Sequence, residues 1–555
     1  MRLPILALLA VAAAWSGPAL GADLIIVNAK VFTADPSRPY ARAVAIEGGR
    51  IEAVGDEAEI RRLADPHARV IDAGGRLVTP GLIEAHGHAG PGPAGQALDM
   101  PGLPWPGPTP DEALAVVRAA GGGQGWLHGV IGPLVVNDPR NWRQALDAVA
   151  PARPVMLRPW WGHGMVLNSA ALRELGIDET TADPPGGWYG RAADGRLDGR
   201  VREAAELMLI RRLAALQTPA EAAEAYRRNG ELYLGWGVTS YHLMAHNQSL
   251  PDALEALKAS GTALKTTVYA WGLPAAEVTE AWDQLPGVPA SGRVRVAGLK
   301  WVLDSTPIER DAFMAAAYAD RPGWAGRSNF TDAQLARILA TALERNTSLA
   351  LHVSGDGELA RLLTAMESAA PPARWRPLRV RIEHGDGLTP ALLPRARALG
   401  VVLVANPLHL DAMPEASGLP MMRARLGEQR SGEFQRMRSV IDAGVPVALG
   451  SDAGGPAANP FLNIMLAVAG PHDPAEALTR EQALTAYTAM AAFAEGREAE
   501  KGALRKGMAA DLAILSQDIL SAPLPSLPAT RSILTLVDGR VVHAEGPFAG
   551  LAPAP

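Results

Sequence analysis

Apolar residues recur along this chain in two rhythms. At both ends they come as short alternations broken by tight turns: DLIIVNAKVFTAD, AVAIEGGRIEAVG and ARVIDAGGRLV before residue 79, then ADLAILS and ILTLVDGRVVHAEG after residue 508. Alternation at period two reads as β-strand. Gly48-Gly49 and Gly74-Gly75 read as hairpin turns between such strands, and Asp538-Gly539 as a type I′ turn. Two β-rich ends around a different middle predict one composite β-sandwich, residues 22–79 together with 503–548. The closing GPFAGLAPAP reads as a frayed tail.

In the middle, apolar runs end in glycine or polar residues and alternate with helical periodicity. GLIEAHGH, GVTSYHLM, TTVYAWG, VAGLKWVLDS, SLALHVSGD, VRIEHGD, VVLVANP and VPVALGSD are eight candidate strands. Between them TPAEAAEAYRRNGELYLGW opens with Thr218, Pro219 and Glu221, a cap, a first-turn proline and a capping-box partner. FTDAQLARILATALERN and TPALLPRARALG also read as helices. Eight strand–helix units predict an α/β fold, a (β/α)8 TIM barrel over residues 80–502. Residues 89–215 are far more than one helix needs after the first strand. They form a Gly- and Pro-rich insertion holding six of the thirteen tryptophans: Trp105, Trp126, Trp142, Trp160, Trp161 and Trp188. Loops that follow barrel strands build the active end, so the insertion is expected to cover the site.

Composition narrows the function. The chain has 555 residues, 48% hydrophobic and 20% charged, with a net charge of −6 and no basic block, so no nucleic-acid partner is expected. It has no cysteine, which excludes disulfides, thiolate metal sites and cysteine nucleophiles. MRLPILALLAVAAAWSGPALGAD carries a positive start, an apolar stretch and small residues before Ala22. Residues 1–21 read as a cleaved signal peptide, which points to a periplasmic or secreted protein. No later run is long and apolar enough to span a bilayer.

The chemistry lies at the strand ends. Strand one ends in His86 and His88, strand four carries Lys300, strand five ends in His352, strand six in His384 and strand eight in Asp452. Residues i and i+2 on a strand share a face, so His86 and His88 both point into the barrel. Taken singly, each residue has a plain reading as a core histidine, a paired lysine or a helix cap. Their joint placement points to a metal centre. Imidazole and carboxylate suit Zn²⁺, Mn²⁺, Fe²⁺ or Co²⁺, and six such groups match two ions rather than one. A desolvated neutral Lys300 can add CO₂ and bridge them as a carbamate (N6-carboxylated lysine), or stand as a hydrogen-bonding lysine beside a single ion. Asp452, with His384, is the candidate catalytic pair, Asp452 moving a proton from metal-activated water to the leaving group.

The stretches LVTPGLIEAHGH, GWLHGVI, GHGMVLNSAAL, GVTSYH, GLKWVLDSTPIERDAFM, LHVSGDGE, RIEHGD, VALGSDA and LRKGMAADLAIL resemble the amidohydrolase superfamily. GHGMVLNSAAL and the large insertion resemble its YtcJ-like branch, amidohydrolase family 3, the group of N-substituted formamide deformylases. The resemblance spans residues 24–545 and implies a barrel with a composite β-sandwich, a metal centre and hydrolysis of a non-peptide C–N bond; two zinc ions are the cofactor expected at the six-residue centre, with Mn, Fe or Co as alternatives. Two departures bear on the substrate region. Asp304-Ser305-Thr306 stands where many relatives have DGS, and His352-Val353-Ser354-Gly355-Asp356 where many have HAIGD.

Further candidates surround the centre. His163 is expected either to bind a substrate carbonyl or to fix its loop. His242 is expected at the mouth or behind a ligand, and Trp160 and Trp161 as pocket wall or insertion core. Glu383, Asp386 and Asp356 read as partners of the ligands or as caps. The leading expectation is a metal-dependent amide hydrolase acting on a small molecule, in a chain that forms a homodimer by analogy. The alternatives are a metal-dependent esterase or lactonase and a non-catalytic scaffold of the same fold. A one-metal deaminase leaves Lys300 unexplained.

Overall fold

The computed structural model describes residues 21–103, 106–273, 280–283, 285, 292–411, 421–471 and 473–552. The expected signal segment, up to residue 20, and Trp105 lie outside them. Eight parallel strands pair in chain order: β1 (Leu82–Gly87), β2 (Val238–Ala245), β3 (Lys265–Trp271), β4 (Val294–Val302), β5 (Ser348–Val353), β6 (Arg381–His384), β7 (Val402–Ala405) and β8 (Val447–Leu449). These are the eight runs picked out by their apolar pattern. β1, β2, β6, β7 and β8 are buried at every position, because side chains fill the inside and helices cover the outside.

Between β8 and β1 the barrel closes through the loop beyond β8 rather than through a ladder. Asp452 N donates to His86 O at 2.8 Å, Ser451 N to Glu84 Oε1 at 2.6 Å, and His88 N to Ala453 O at 2.9 Å. Gly87 is required here. A β-carbon on it would lie 2.2 Å from the Tyr241 hydroxyl, which packs behind the turn and accepts the Ala89 N–H at 2.8 Å.

The capping signals hold. Thr218 and Glu221 cap Pro219–Leu234, and Thr331 and Gln334 cap Asp332–Arg345. The helix expected over residues 389–400 spans only Leu393–Leu399, because residues 389–392 form a turn and Pro394 enters in the first helical turn.

Chain-terminal segments build two further sheets. One runs in the order Arg50–Gly55, Ala43–Glu47, Ala22–Val27, Ala64–Asp72; the other Arg540–Ala544, Ser532–Val537, Leu512–Leu515, Leu77–Pro80, Lys30–Phe32, Tyr40–Ala41. Leu24, Ile26, Val44 and Ile46 of the first share a core with Val31, Val78, Leu512, Ile514 and Leu534 of the second. Gly48-Gly49 and Asp538-Gly539 make hairpins with positive φ at both residues of each turn. Gly74-Gly75 does not. Its flanking strands lie in different sheets, one paired with Ala22–Val27 and the other with Leu512–Leu515, so the turn hands the chain across the sandwich. The expected frayed tail is corrected over its first part: Gly546–Leu551 forms a 3-10 turn that seats Phe548 in the sandwich core, and residues 553–555 lie outside the described residues.

The insertion has a six-stranded sheet of its own, in the order Gly187–Arg191, Leu197–Glu203, Met165–Leu167, Val155–Pro159, Leu127–Ile131, Gln96–Leu98. Trp126 and Trp142 are buried in its two apolar clusters. Among the described residues no helix is long and apolar enough to cross a membrane.

Phe548→Ala is expected to lower stability by about 3 kcal/mol through the cavity it opens. Denaturant unfolding of the full chain checks this, and a free tail would leave the curve unmoved.

Candidate metal centre

Asp452 stands at the mouth of the barrel among four histidines. Its Oδ1 lies 3.0 Å from His86 Nε2 and 2.9 Å from His88 Nε2; its Oδ2 lies 3.2 Å from His409 Nε2 and 3.7 Å from His384 Nδ1. The His352 ring lies 4.4 Å from that of His384, centroid to centroid. Lys300 is fully buried on β4, its ammonium 5.4 Å from the centre of the Trp271 ring. The six strand-end residues thus gather around one mouth, and Lys300, His352, His384 and Asp452 line the same cavity as His88.

The hydrogen bonds of the rings fix which nitrogens are free. His86 Nδ1 faces the Glu383 carboxylate at 2.5 Å. Its Nε2 is buried and, despite the nearness of Asp452, has no hydrogen-bond partner among the described residues. His88 Nδ1 faces Met244 O at 3.2 Å. His384 Nδ1 faces Asn406 Oδ1 at 2.9 Å, and Asn406 is oriented by donating its own amide to Gly450 O at 3.0 Å. In each ring an acceptor holds the proton on Nδ1 and leaves a lone pair on Nε2, the arrangement of a metal-binding histidine.

Charge agrees with this assignment. Burial pushes His88 down, and His352 and His384 well below the usual imidazole range, which keeps them neutral. Burial opposes ionisation of Asp452 too, yet His384, His86 and His409 hold its carboxyl well below the usual carboxylate range. A neutral Nε2 lone pair and a carboxylate oxygen repel one another at 3 Å unless a cation lies between them. With metal–ligand bonds of about 2.0–2.2 Å, two ligands of one ion sit about 2.9–3.4 Å apart. The Asp452–His86 and Asp452–His88 distances fall in that range. The donor set therefore fits a divalent cation held by His86, His88 and Asp452. Burial also pushes Lys300 down to about 8, against the pull of Glu383 and Asp452.

The other expected residues divide. His163 and Trp161, from the insertion, line the cavity, as does Trp160. His163 Nδ1 pairs with Glu203 at 3.0 Å; against burial, that carboxylate raises the imidazole to about 9. His242 does not reach the mouth. It is fully buried within the barrel, with Nε2 3.1 Å from Glu495 and Nδ1 3.1 Å from Arg381. His246, four residues further along, lines the cavity instead, with its Nδ1 3.0 Å from that of His88. Glu383 holds His86 and is pinned from below by Arg381 Nε at 2.7 Å. Asp386 accepts from Ser354 Oγ at 3.0 Å, and Asp356 from Ala315 N at 2.9 Å. Sequence reasoning passed over His409, His246 and Glu84. His246 had a signal, since it shares a strand face with residues 242 and 244.

The cavity over the centre has a volume of about 330 Å³. Its walls away from the histidines are largely apolar, with Met156, Trp160, Leu207, Ile210 and Trp271 among them.

Comparison with known proteins agrees with this architecture. Residues 69–543 match the profile of the amidohydrolase family. The chain is 29% identical to N-substituted formamide deformylase of Arthrobacter pascens over 93% of this chain and 97% of that protein. It is 26% identical to the putative amidohydrolase YtcJ of Bacillus subtilis (strain 168), over 90% and 96%. In fold it resembles an uncharacterized metal-dependent hydrolase from Pyrococcus horikoshii OT3, with a TM-score of 0.68 at 20% identity over 90% of this chain and 99% of that one.

Burial pushes His242 down to about 4, below the 6.5 of a free imidazole. The unfolded chain therefore takes up a proton that the folded chain refuses. The stabilisation from neutral His242 is complete above pH 6.5 and is lost as pH falls from there to about 4. Unfolding free energy is expected to fall less steeply across that window in His242→Gln than in the wild-type chain. Metal content of the variant is expected to stay at the wild-type value.

Proposed function

The chain belongs to the amidohydrolase family and is a metal-dependent hydrolase; from that premise we propose that it cleaves a non-peptide C–N bond in a small, largely apolar amide. N-formyl amines, N-acyl amines and cyclic amides are the substrate classes. The observation that carries the reading is the gathering of His86, His88 and His384 around Asp452, each ring tied at Nδ1, beneath a cavity of about 330 Å³. The name of the Arthrobacter pascens relative supports the amide class.

His86, His88 and Asp452 would hold one ion, with His384, His352 and Lys300 completing the centre. Zinc fits these donors, and Mn²⁺, Fe²⁺ and Co²⁺ share the preference. Such an ion polarises a carbonyl and makes hydroxide available near neutral pH. The protein supplies the rest. Asp452 is ionised and faces the mouth, so it takes the proton of the attacking water and returns it to the departing nitrogen. His163, fixed by Glu203, turns its other ring edge toward the cavity as a donor to the substrate carbonyl. Trp160, Leu207 and Ile210 exclude water and receive the apolar N-substituent. A lysine brought down to about 8 has a substantial neutral fraction at neutral pH, so Lys300 is able to add CO₂. The apolar segment before Ala22 supports export, with the substrate met in the periplasm or outside the cell.

His86→Ala is expected to lose bound metal and at least about 100-fold in turnover of N-formyl and N-acyl amines, more than loss of a ligand's own partner costs. Metal analysis and a panel of amides and esters check this. A metal-free active wild type, or turnover of esters alone, would refute the amide reading. Carbon-13 NMR of protein reconstituted with labelled bicarbonate is expected to show a carbamate signal that Lys300→Arg lacks.

A further inference from the structure

A guanidinium stands in the largely apolar wall of the cavity. On the insertion strand Val155–Pro159, Met156 and Arg158 share a face and line the cavity, while Leu157 between them belongs to the insertion's own core. Arg158 Nε donates to Glu206 Oε1 at 2.6 Å, and neither Nη has a hydrogen-bond partner among the described residues. A β-carbon on Gly162 would lie 3.3 Å from Arg158 Nη2, so the free edge of the guanidinium runs along the loop that carries His163.

The carboxylates that line the cavity are all engaged elsewhere. Glu206 gives its second oxygen to Gly164 N. Glu203 is held by His163, Ser305 and Asn329, and Asp452 by the histidines of the mouth. An ion pair that only tied the strand to the wall helix would need no more than the one bond. Here Glu206, itself buried, fixes the guanidinium at Nε and leaves the N–H groups of both Nη on the cavity side. Two parallel N–H groups on a rigid fork match the two oxygens of a carboxylate, in a bond about twice as strong as a neutral one. A few such polar groups in an apolar pocket fix the orientation of what binds there.

We propose that Arg158 is a specificity residue that binds a carboxylate on the N-substituent of the substrate, so that the protein takes N-acyl amino acids in preference to neutral N-acyl amines. The proposal rests on the amide reading above and names its substrate class. The amide carbonyl then lies at the centre, the carboxylate on Arg158, and the apolar part of the N-substituent against Met156, Leu207 and Ile210.

Matched pairs test it: N-acetylleucine, as both enantiomers, against N-acetylleucinamide, and N-acetyl-ε-aminocaproate against its carboxamide. The holoenzyme is assayed for acetate release, and binding of each compound is measured by calorimetry with metal bound and with metal stripped. For at least one pair the acid is expected to exceed its carboxamide in kcat/KM by at least about 30-fold in the wild-type chain. Arg158→Gln is expected to lose that preference, chiefly through the KM of the acid, while turnover of the carboxamide changes far less. Arg158→Lys keeps a charge without the fork and is expected to fall between; it carries the comparison where unfolding curves show that Arg158→Gln is not folded. Binding of the acid is expected to survive metal stripping and to be lost in Arg158→Gln. A wild type that takes both members of every pair alike overturns the proposal. So does an Arg158→Gln chain that loses acid and carboxamide equally, since the pair with Glu206 would then only tie strand to helix. A preference for the acid that persists in Arg158→Gln, or acid binding that vanishes with the metal, puts the carboxylate on the metal and also overturns it. If no compound releases acetate while the acid binds through Arg158, the proposed bond fails and the role of Arg158 stands. If neutral amides are cleaved and acids are not favoured, the bond stands and the role of Arg158 fails.

Discussion

The hydrogen bond from Asp452 N to His86 O, 2.8 Å long, joins the last strand of the barrel to the first. β8 and β1 share no ladder, so this bond and its neighbours carry the closure. Glu84 takes part, accepting Ser451 N and His86 N on one oxygen at 2.6 and 3.2 Å. Burial raises that carboxyl to about 8, so at neutral pH it is mostly a neutral acid placed where a charge would be costly. The seam that closes the fold therefore also brings the first candidate ligands in the sequence to the last. His86 and His88 meet Asp452 because the barrel is closed there, across some 360 intervening residues.

Residues around the mouth are held in conformations that free chains avoid. His384 and Asp452 have φ of 66° and 56°, and His163 and Glu203 have 57° and 53°. Left-handed backbone at a non-glycine residue costs about 1–3 kcal/mol, so each must be over-determined by its surroundings. Those surroundings are visible. Asn406 fixes His384 and is itself fixed by Gly450 O. Glu203 accepts from Ser305 Oγ at 2.7 Å and Asn329 Nδ2 at 3.0 Å while it holds His163. Below the centre, Arg381 and Glu383 form a fully buried pair whose outer carboxylate oxygen orients His86. Removing either partner would leave an uncompensated buried charge, so this pair acts by positioning His86 rather than by adding net stability.

Strand ends were the legible part of the sequence, because a parallel barrel advertises itself. Both faces of its strands are covered, which gives continuous apolar runs, and the polar residues that interrupt them stand out. His86, His88, Lys300, His352, His384 and Asp452 were found that way. His242 interrupts its strand in the same manner, and pattern alone does not report depth. It stands in mid-strand, paired with Glu495 and Arg381 inside the barrel, whereas His246 lies just past the strand's end at the mouth. His409 lies past a strand end on a four-residue helix, where no period marks it. The Gly74-Gly75 turn looked like a hairpin because a turn signal says that the chain reverses, not which sheet receives it. Phe548 looked like part of a tail because a short 3-10 turn has almost no pattern, and its burial depends on strands far away in sequence.

Barrel and insertion divide the work. The residues that fit a metal come from the barrel strands and the loops after them, where closure dictates position. The apolar walls come mostly from the insertion, which has its own sheet and its own cores and so can vary without disturbing the ligands. Glu203 is the joint between the two. It ends the insertion strand Leu197–Glu203, precedes the wall helix Ala204–Ala214, and reaches Ser305 and Asn329 on barrel loops. One buried carboxylate thus registers the wall against the mouth and sets His163 beside His352, with ring centroids 4.5 Å apart. A shift of the insertion by one ångström would move Trp160, Trp161 and His163 together while the Asp452 seam stayed in place.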